Sequence, residues 1–145
     1  MIPALELPST RGGSVDLAEI TRAPAVLFFY PRTGVPGRPP PRLGDGTEWD
    51  LVPGMRGCTP QSCAYRDLLS DFRALGVEVH AVSTQTSEYQ REFAERMHIP
   101  YPILSDSELA LTRVLQSQIA MTPRGSYRNT LETHLRETRG HADRL

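Results

Sequence analysis

The sequence predicts a single α/β domain built on a parallel sheet. Its 145 residues suffice for one domain with a substantial core. An apolar strand pattern at residues 25–30 is followed by a helix, a second strand and a second helix. Crossover units in this order form parallel sheets. The formal net charge of -1 gives no electrostatic argument for binding to nucleic acid or an anionic membrane.

The first third of the chain combines a hairpin, a strand and a long loop. Residues 3–17 predict a short hairpin around a Gly-Gly turn. Residues 25–30 are apolar without alternation, which is typical of a strand covered on both faces, and Pro31 ends it. Residues 31–56 contain six prolines and five glycines, so no regular element is expected there. Loops of this length in compact domains are usually functional or disordered.

The next helix and strand follow this loop directly. Pro60 fits the first turn of a helix, where its missing N–H costs nothing, and Gly76 marks the end of that helix. Residues 77–83 alternate as a strand would, with His80 on the polar side. These two elements complete the first predicted crossover unit.

Two further helices close the pattern. Ser87 and Gln90 resemble a capping box that opens the first of them. Residues 100–104 read as a short extended piece, and Asp106 or Ser107 is predicted to cap the last helix. The helical signal fades beyond Leu115, as do the other periodicities.

Cys58 and Cys63 are the only cysteines of the chain. Cys58 is placed at the start of the first long helix, where the positive end of the helix dipole and unpaired N–H groups stabilise a thiolate. The second thiol, five residues on, gives the oxidised first one an intramolecular partner. No basic segment followed by an apolar run opens the chain, so a cytoplasmic location is predicted. In that compartment two cysteines indicate redox chemistry more often than a structural disulfide.

Two other interpretations of the cysteines stay open. Both thiols would also suit a helix as small, buried and unreactive side chains. A metal site would need two further ligands, and no Cys or His lies close in sequence to supply them.

The residues around the cysteines resemble those of the Q-type peroxiredoxins, the bacterioferritin-comigratory-protein group. The resemblance covers about residues 3–115, and its motifs are Phe29-Tyr30-Pro31, Gly57-Cys58-Thr59 with Cys63 five positions on, Arg66-Asp67, Val82-Ser83-Thr84 and Ile103-Leu104-Ser105-Asp106. It implies a thioredoxin-like fold and a thioredoxin-dependent peroxidase that needs no metal or organic cofactor. It assigns Cys58 as the peroxidatic cysteine, Cys63 as the resolving cysteine and Pro31 as a shield of the pocket.

In the implied cycle, peroxide oxidises Cys58 to a sulfenic acid. Cys63 then condenses with this sulfenic acid to give a disulfide. A thioredoxin-like reductant would then restore both thiols. Five residues of helix rise about 7.5 Å, beyond the roughly 7 Å Cα limit for a disulfide. Closing the bond is therefore expected to unwind the first turn of the helix or more.

The chain departs from the family near the peroxidatic cysteine. Relatives carry a Thr or Ser three residues before that cysteine, and here the position is Met55. The loop 31–56 is thus read as an insertion, and Thr33 supplies the hydroxyl if the loop folds back. Arg56 is a candidate for positive charge beside the thiol.

The second departure lies after Leu115. The family continues with a hairpin whose first strand supplies an active-site Arg, followed by a final helix, and no such pattern is found. We therefore expect a domain at residues 1–115 and a divergent, weakly structured segment at 116–145. Truncation, a frameshift and real divergence all stay open. Without the hairpin, the strand at 25–30 becomes a sheet edge, and we expect self-association through this edge, cover by the C-terminal segment, or low solubility.

The sequence thus predicts first a peroxidase acting on hydrogen peroxide or organic hydroperoxides. A catalytically weak thiol redox sensor or binding module, switched by the Cys58–Cys63 disulfide, is the main alternative. A non-functional gene remnant is the third.

Overall fold

A computed structural model of the protein describes residues 4–40, 42–52 and 57–121, together with Asn129 and Thr133. Its strands are β1 (Glu6–Pro8), β2 (Ser14–Asp16), β3 (Ala25–Tyr30), β4 (Glu78–Ser83) and β5 (Ile103–Ser105). Its helices are α1 (Leu17–Ile20), α2 (Cys58–Asp67), α3 (Leu69–Ala74), α4 (Ser87–Arg96) and α5 (Ala110–Met121), with a 3-10 turn at Trp49–Leu51.

The main sheet has three strands in the order β3-β4-β5, all parallel, which confirms the predicted crossover architecture. Tyr30 lies opposite Ser83 in this sheet, so β3 and β4 end side by side. β1 and β2 form the predicted antiparallel hairpin, and both turn glycines have positive φ. Among the described residues β3 pairs with β4 alone, so it is an edge strand in this part of the chain.

Each face of the main sheet carries an apolar cluster. The larger one contains aromatic side chains of β3, α2 and α4, and Cys58 belongs to it. In this cluster the Phe28 and Tyr65 rings stack with their centroids 4.2 Å apart, which fixes α2 against the sheet. The smaller cluster is built from Leu7, Leu17, Val82 and Leu104.

Tertiary packing overrides the strand pattern at two positions. His80 is buried, because β4 is the central strand and is covered on both faces. Its Nε2 lies 3.1 Å from Glu78 Oε2. Phe29 is 54% exposed, so the described residues leave one face of β3 uncovered at this position. The predictions of a polar environment for His80 and of two covered faces for β3 were therefore wrong.

The helices begin and end close to where the sequence placed them, with two local differences. The helix expected to continue to Gly76 breaks at Leu68 into α2 and α3. Thr86, not Ser87, is the N-cap of α4, and its Oγ1 accepts the Tyr89 N–H at 3.4 Å. Gln90, assigned to that capping box, is instead wholly buried.

The last helix and the long loop follow the sequence pattern. The Asp106 carboxylate accepts the Leu111 N–H in the first turn of α5 at 3.1 Å, although α5 begins at Ala110, three residues later than a helix with Asp106 as its N-cap. α5 continues past residue 115, while the division of the chain there stays a prediction. The described parts of the loop 31–56 contain only one 3-10 turn and an isolated bridge. None of the helices within the described ranges is both long and apolar enough to span a bilayer.

The turn between α3 and β4 gives a test of the backbone conformation. Gly76 has φ +70°, and a Cβ added there would meet nothing within 4 Å, so only the backbone would be strained. Gly76→Ala should lower the free energy of unfolding by about 1 kcal/mol, measured by urea denaturation. Gly34→Ala is the matched control, because Gly34 has equal space without a positive φ. Equal losses in both variants would contradict this assignment.

Candidate active site

Cys58 is the first residue of α2, at the predicted helix start, and its side chain is 8% exposed. Gly57 precedes it as the N-cap and provides no side-chain hydrogen bond to the first turn. The thiol therefore lies beside backbone N–H groups that no side chain at the cap satisfies.

Burial decides the pKa of this thiol. Removal from water raises the pKa of Cys58 above its ordinary value. Hydrogen bonds from the backbone N–H groups of Arg32 and of Cys58 itself lower the pKa, as does the charge of Arg32, but they do not offset the burial. The expectation that the helix start lowers the pKa was therefore wrong in its net direction, since it did not allow for burial in the aromatic cluster.

Arg32 is the site residue that the sequence analysis missed. It follows Pro31 directly after β3, and its neighbours on both sides are held by β4 and α4. The Pro31 carbonyl accepts hydrogen bonds from Thr84 Oγ1 at 2.9 Å and Ser83 Oγ at 3.3 Å. These bonds fix the chain where it leaves the sheet, and so hold the Arg32 N–H at the cysteine.

Thr33 is anchored even more firmly, by Gln85 and Tyr89. Its N–H donates to Gln85 Oε1 at 2.8 Å, and its carbonyl accepts from Tyr89 Oη at 2.8 Å and Gln85 Nε2 at 3.2 Å. Its hydroxyl lies 3.3 Å from Gln85 Oε1 and donates to it. A role for this hydroxyl at Cys58 stays a prediction, because its described partner is Gln85.

Gln90 joins the two strand ends from inside the core. Its Oε1 accepts from Tyr30 Oη at 2.5 Å, and its Nε2 donates to Ser83 Oγ at 2.8 Å and Gln85 Oε1 at 3.0 Å. A buried polar network with its members paired is rigid. The sequence does carry a signal for this network, because polar residues follow both β3 and β4. The carboxyl ends of parallel strands meet at one edge of a sheet, so these polar residues come close together.

Cys63 lies one and a half turns further along α2 and is partly buried. Arg66 is close enough to interact electrostatically with it. The Arg66 side chain bonds to Asp67 Oδ1 at 2.8 Å and to the Met97 carbonyl at 2.7 Å. Both thiols are free, so this is the dithiol state with α2 intact across the two cysteines.

Two further points of the sequence analysis concern the residues before Cys58 and a possible metal site. Met55 and Arg56 lie outside the described residues, so nothing is assigned to them. The described part of the chain holds no group of three or more His, Cys, Asp or Glu side chains arranged to bind a metal ion.

The parallel sheet with a cysteine at the helix start after its first strand defines a thiol protein of thioredoxin-like fold. The redoxin family model matches residues 1–127. The chain belongs to the redoxin family.

Relatives and solved structures narrow this similarity to the Q-type peroxiredoxins. A chloroplastic peroxiredoxin Q of Sedum lineare is 31% identical over 104 residues, covering 72% of this chain and 45% of the relative. Peroxiredoxin bcp1 of Schizosaccharomyces pombe is 30% identical over 119 residues, covering 81% and 51%. This chain thus spans about half the length of these curated relatives. The crystal structure of peroxidoxin BcpB from Mycobacterium tuberculosis is 28% identical with a TM-score of 0.59, covering 77% of this chain and 60% of that one.

These findings confirm the resemblance and the fold class that the sequence predicted. A structure of peroxiredoxin Q from Xylella fastidiosa aligns over 95% of this chain and 89% of that one, with a TM-score of 0.58 and 16% identity. At that identity the likeness concerns the fold alone.

The alkylation rate of Cys58 tests the opposing effects of burial and of the Arg32 charge on the pKa of its thiol. Because its pKa is raised, the rate with iodoacetamide should reach half of its maximum at a pH above about 8.5, the midpoint of an ordinary thiol. Arg32→Gln removes the charge but keeps the backbone N–H, so alkylation at neutral pH should fall roughly two- to tenfold. A Cys63→Ser background restricts the signal to Cys58.

Arg38→Gln is the matched control, because Arg38 lies exposed in the same loop. The same loss of rate in both variants would mean that net charge, and not the position of Arg32, sets the reactivity.

Proposed function

We propose that this protein is a thiol-dependent peroxidase that reduces hydrogen peroxide or organic hydroperoxides. The observation that carries the proposal is the position of Cys58 at the start of α2, hydrogen-bonded by the anchored Arg32 N–H and close to the Arg32 charge. Membership of the redoxin family supports the same chemistry.

In the proposed reaction, the Cys58 thiolate attacks the terminal oxygen of the peroxide. The O–O bond breaks, the sulfur becomes a sulfenic acid, and water or an alcohol leaves after taking up a proton. Cys63 then attacks the sulfenic sulfur, which expels water and forms the disulfide. Two thiols of a thioredoxin-like reductant supply the electrons that restore both cysteines. No cofactor enters this cycle.

Three residues after β3 have roles in this proposal. Pro31 shields the sulfur from bulk water, and Arg32 supplies positive charge to the thiolate and to the oxygen that leaves. Thr33 would contact the peroxide through its hydroxyl, which requires that the hydroxyl turn away from Gln85. In this proposal the Arg32 charge acts as the active-site Arg of the family does.

A thiol redox sensor is the second candidate, and the raised pKa of Cys58 favours it. A largely protonated thiol reacts slowly, so each protein molecule would form one disulfide without sustained turnover. The two candidates differ in turnover number, and not in the cysteines that they use. The predicted cytoplasmic location suits either and stays a prediction.

Separate replacement of the two cysteines tests the assigned roles. Cys58→Ser should abolish peroxide consumption coupled to a thioredoxin system, because no sulfur is then left at the helix start. Cys63→Ser should react once and then accumulate sulfinic acid, because no partner traps the sulfenic acid. Coupled NADPH oxidation and mass spectrometry of the intact chain measure both effects.

The result in the unmodified protein separates the candidates. Continuous turnover supports the peroxidase, and one disulfide per chain without turnover supports the sensor. If Cys58→Ser consumes peroxide as fast as the unmodified protein, both candidates are wrong.

We also propose that the protein self-associates through the edge strand β3. Phe29 is 54% exposed on this strand, and β3 has no second neighbour among the described residues. Phe29→Lys places a charge on the edge and should shift the protein towards monomer in sedimentation velocity. Leu75→Lys is the control, because Leu75 is also exposed and lies off the sheet. A monomeric unmodified protein at all concentrations would refute this proposal.

A further inference from the structure

Tyr101 contacts α2 from the segment that leads into β5. It lies two residues before β5, is 2% exposed, and donates from its hydroxyl to the Ser62 carbonyl at 2.7 Å. Its ring packs edge-on against Phe28, with the centroids 5.7 Å apart. The side chain is thus fixed by packing, and its hydroxyl is aimed at a single peptide group of α2.

That peptide group is the one that carries the N–H of Cys63. Ser62 itself is wholly buried, and its Oγ donates to the Cys58 carbonyl at 2.9 Å. The backbone at each cysteine therefore has a buried hydrogen bond beyond those of the helix. One leads to Tyr101, and the other stays within α2.

These bonds belong to the dithiol state. In a continuous helix the two cysteines are about 7.5 Å apart along the axis, which is too far for a disulfide. One of them must leave the helix before the sulfurs can meet. If the Cys63 peptide moves, the Tyr101 hydroxyl loses its partner, and a buried hydroxyl without a partner is unfavourable.

We infer that Tyr101 is a positioning residue that holds the Cys63 peptide in α2 and so opposes disulfide formation with Cys58. The inference rests on the proposed disulfide and names the side chain that regulates it. A longer-lived helix keeps Cys58 free to react, at the cost of slower rescue of its sulfenic acid.

Tyr101→Phe tests this because it keeps the ring and removes only the hydroxyl. The chain is equilibrated in glutathione buffers of set ratio, where oxidised glutathione takes two electrons and two protons from the cysteine pair. The equilibrium constant for the disulfide should rise about 3- to 10-fold. This corresponds to a reduction potential lower by about 14–30 mV. In the peroxide reaction, the variant should also form less sulfinic acid per disulfide than the unmodified chain.

Thr21→Val is the matched control. The Thr21 hydroxyl also donates to a backbone carbonyl, that of Leu17 at 2.8 Å, but it lies in the turn that ends α1. This variant should lose stability without a change in the reduction potential. Equal potentials in Tyr101→Phe and the unmodified chain, or equal shifts in both variants, would overturn the inference.

The glutathione equilibrium and the peroxide reaction together separate this inference from the proposed function. A shifted glutathione equilibrium with no peroxide reaction refutes the peroxidase and supports the role of Tyr101. If Tyr101→Phe fails to fold, amide exchange of the unmodified chain decides the question. In the disulfide state the Arg66 amide, whose acceptor in α2 is the Ser62 carbonyl, should lose protection while that of Ile103 in β5 keeps it, and full protection at Arg66 would overturn the inference.

Discussion

The candidate site depends on one buried hydrogen-bond network at the carboxyl ends of β3 and β4. Gln90 bonds to Tyr30, Ser83 and Gln85, and Gln85 in turn bonds to the backbone of Thr33. The bonds of Tyr30 with Gln90 and of Thr33 with Gln85 join residues 60 and 52 positions apart, so the network is complete only once the sheet has formed. This network acts on the start of the loop that follows β3. A proline- and glycine-rich loop that would otherwise be free begins from a fixed position, with the Arg32 N–H directed at Cys58.

Two opposing effects meet at that sulfur. The aromatic cluster that fixes α2 also removes Cys58 from water, and burial disfavours the thiolate. The Arg32 charge and two backbone N–H groups act in the other direction and are outweighed. The balance between packing and charge therefore sets how much of the Cys58 thiol is ionised. The same cluster includes Tyr101, whose hydroxyl bonds to the Ser62 carbonyl of α2.

The burial of a strand in this sheet depends on its position as well as on its sequence pattern. β4 alternates like a half-exposed strand, yet it lies between two parallel neighbours and buries His80. β3 is the most apolar strand, yet it lies at the edge of the described sheet and exposes Phe29. Hydrophobicity indicates what a strand can bury, whereas the order of strands decides which face is covered.

The sequence by itself determined the order of elements, the parallel crossovers, the helix start at Cys58 and the resemblance to Q-type peroxiredoxins, because periodicity, turn residues and local motifs specify these. Only the tertiary structure decided the direction of the Cys58 pKa shift and the contacts of Arg32, Gln90 and Tyr101. These depend on burial and on hydrogen bonds between residues as many as 60 positions apart, such as that of Tyr30 with Gln90. No local pattern records such contacts, because they form only when separate elements pack together.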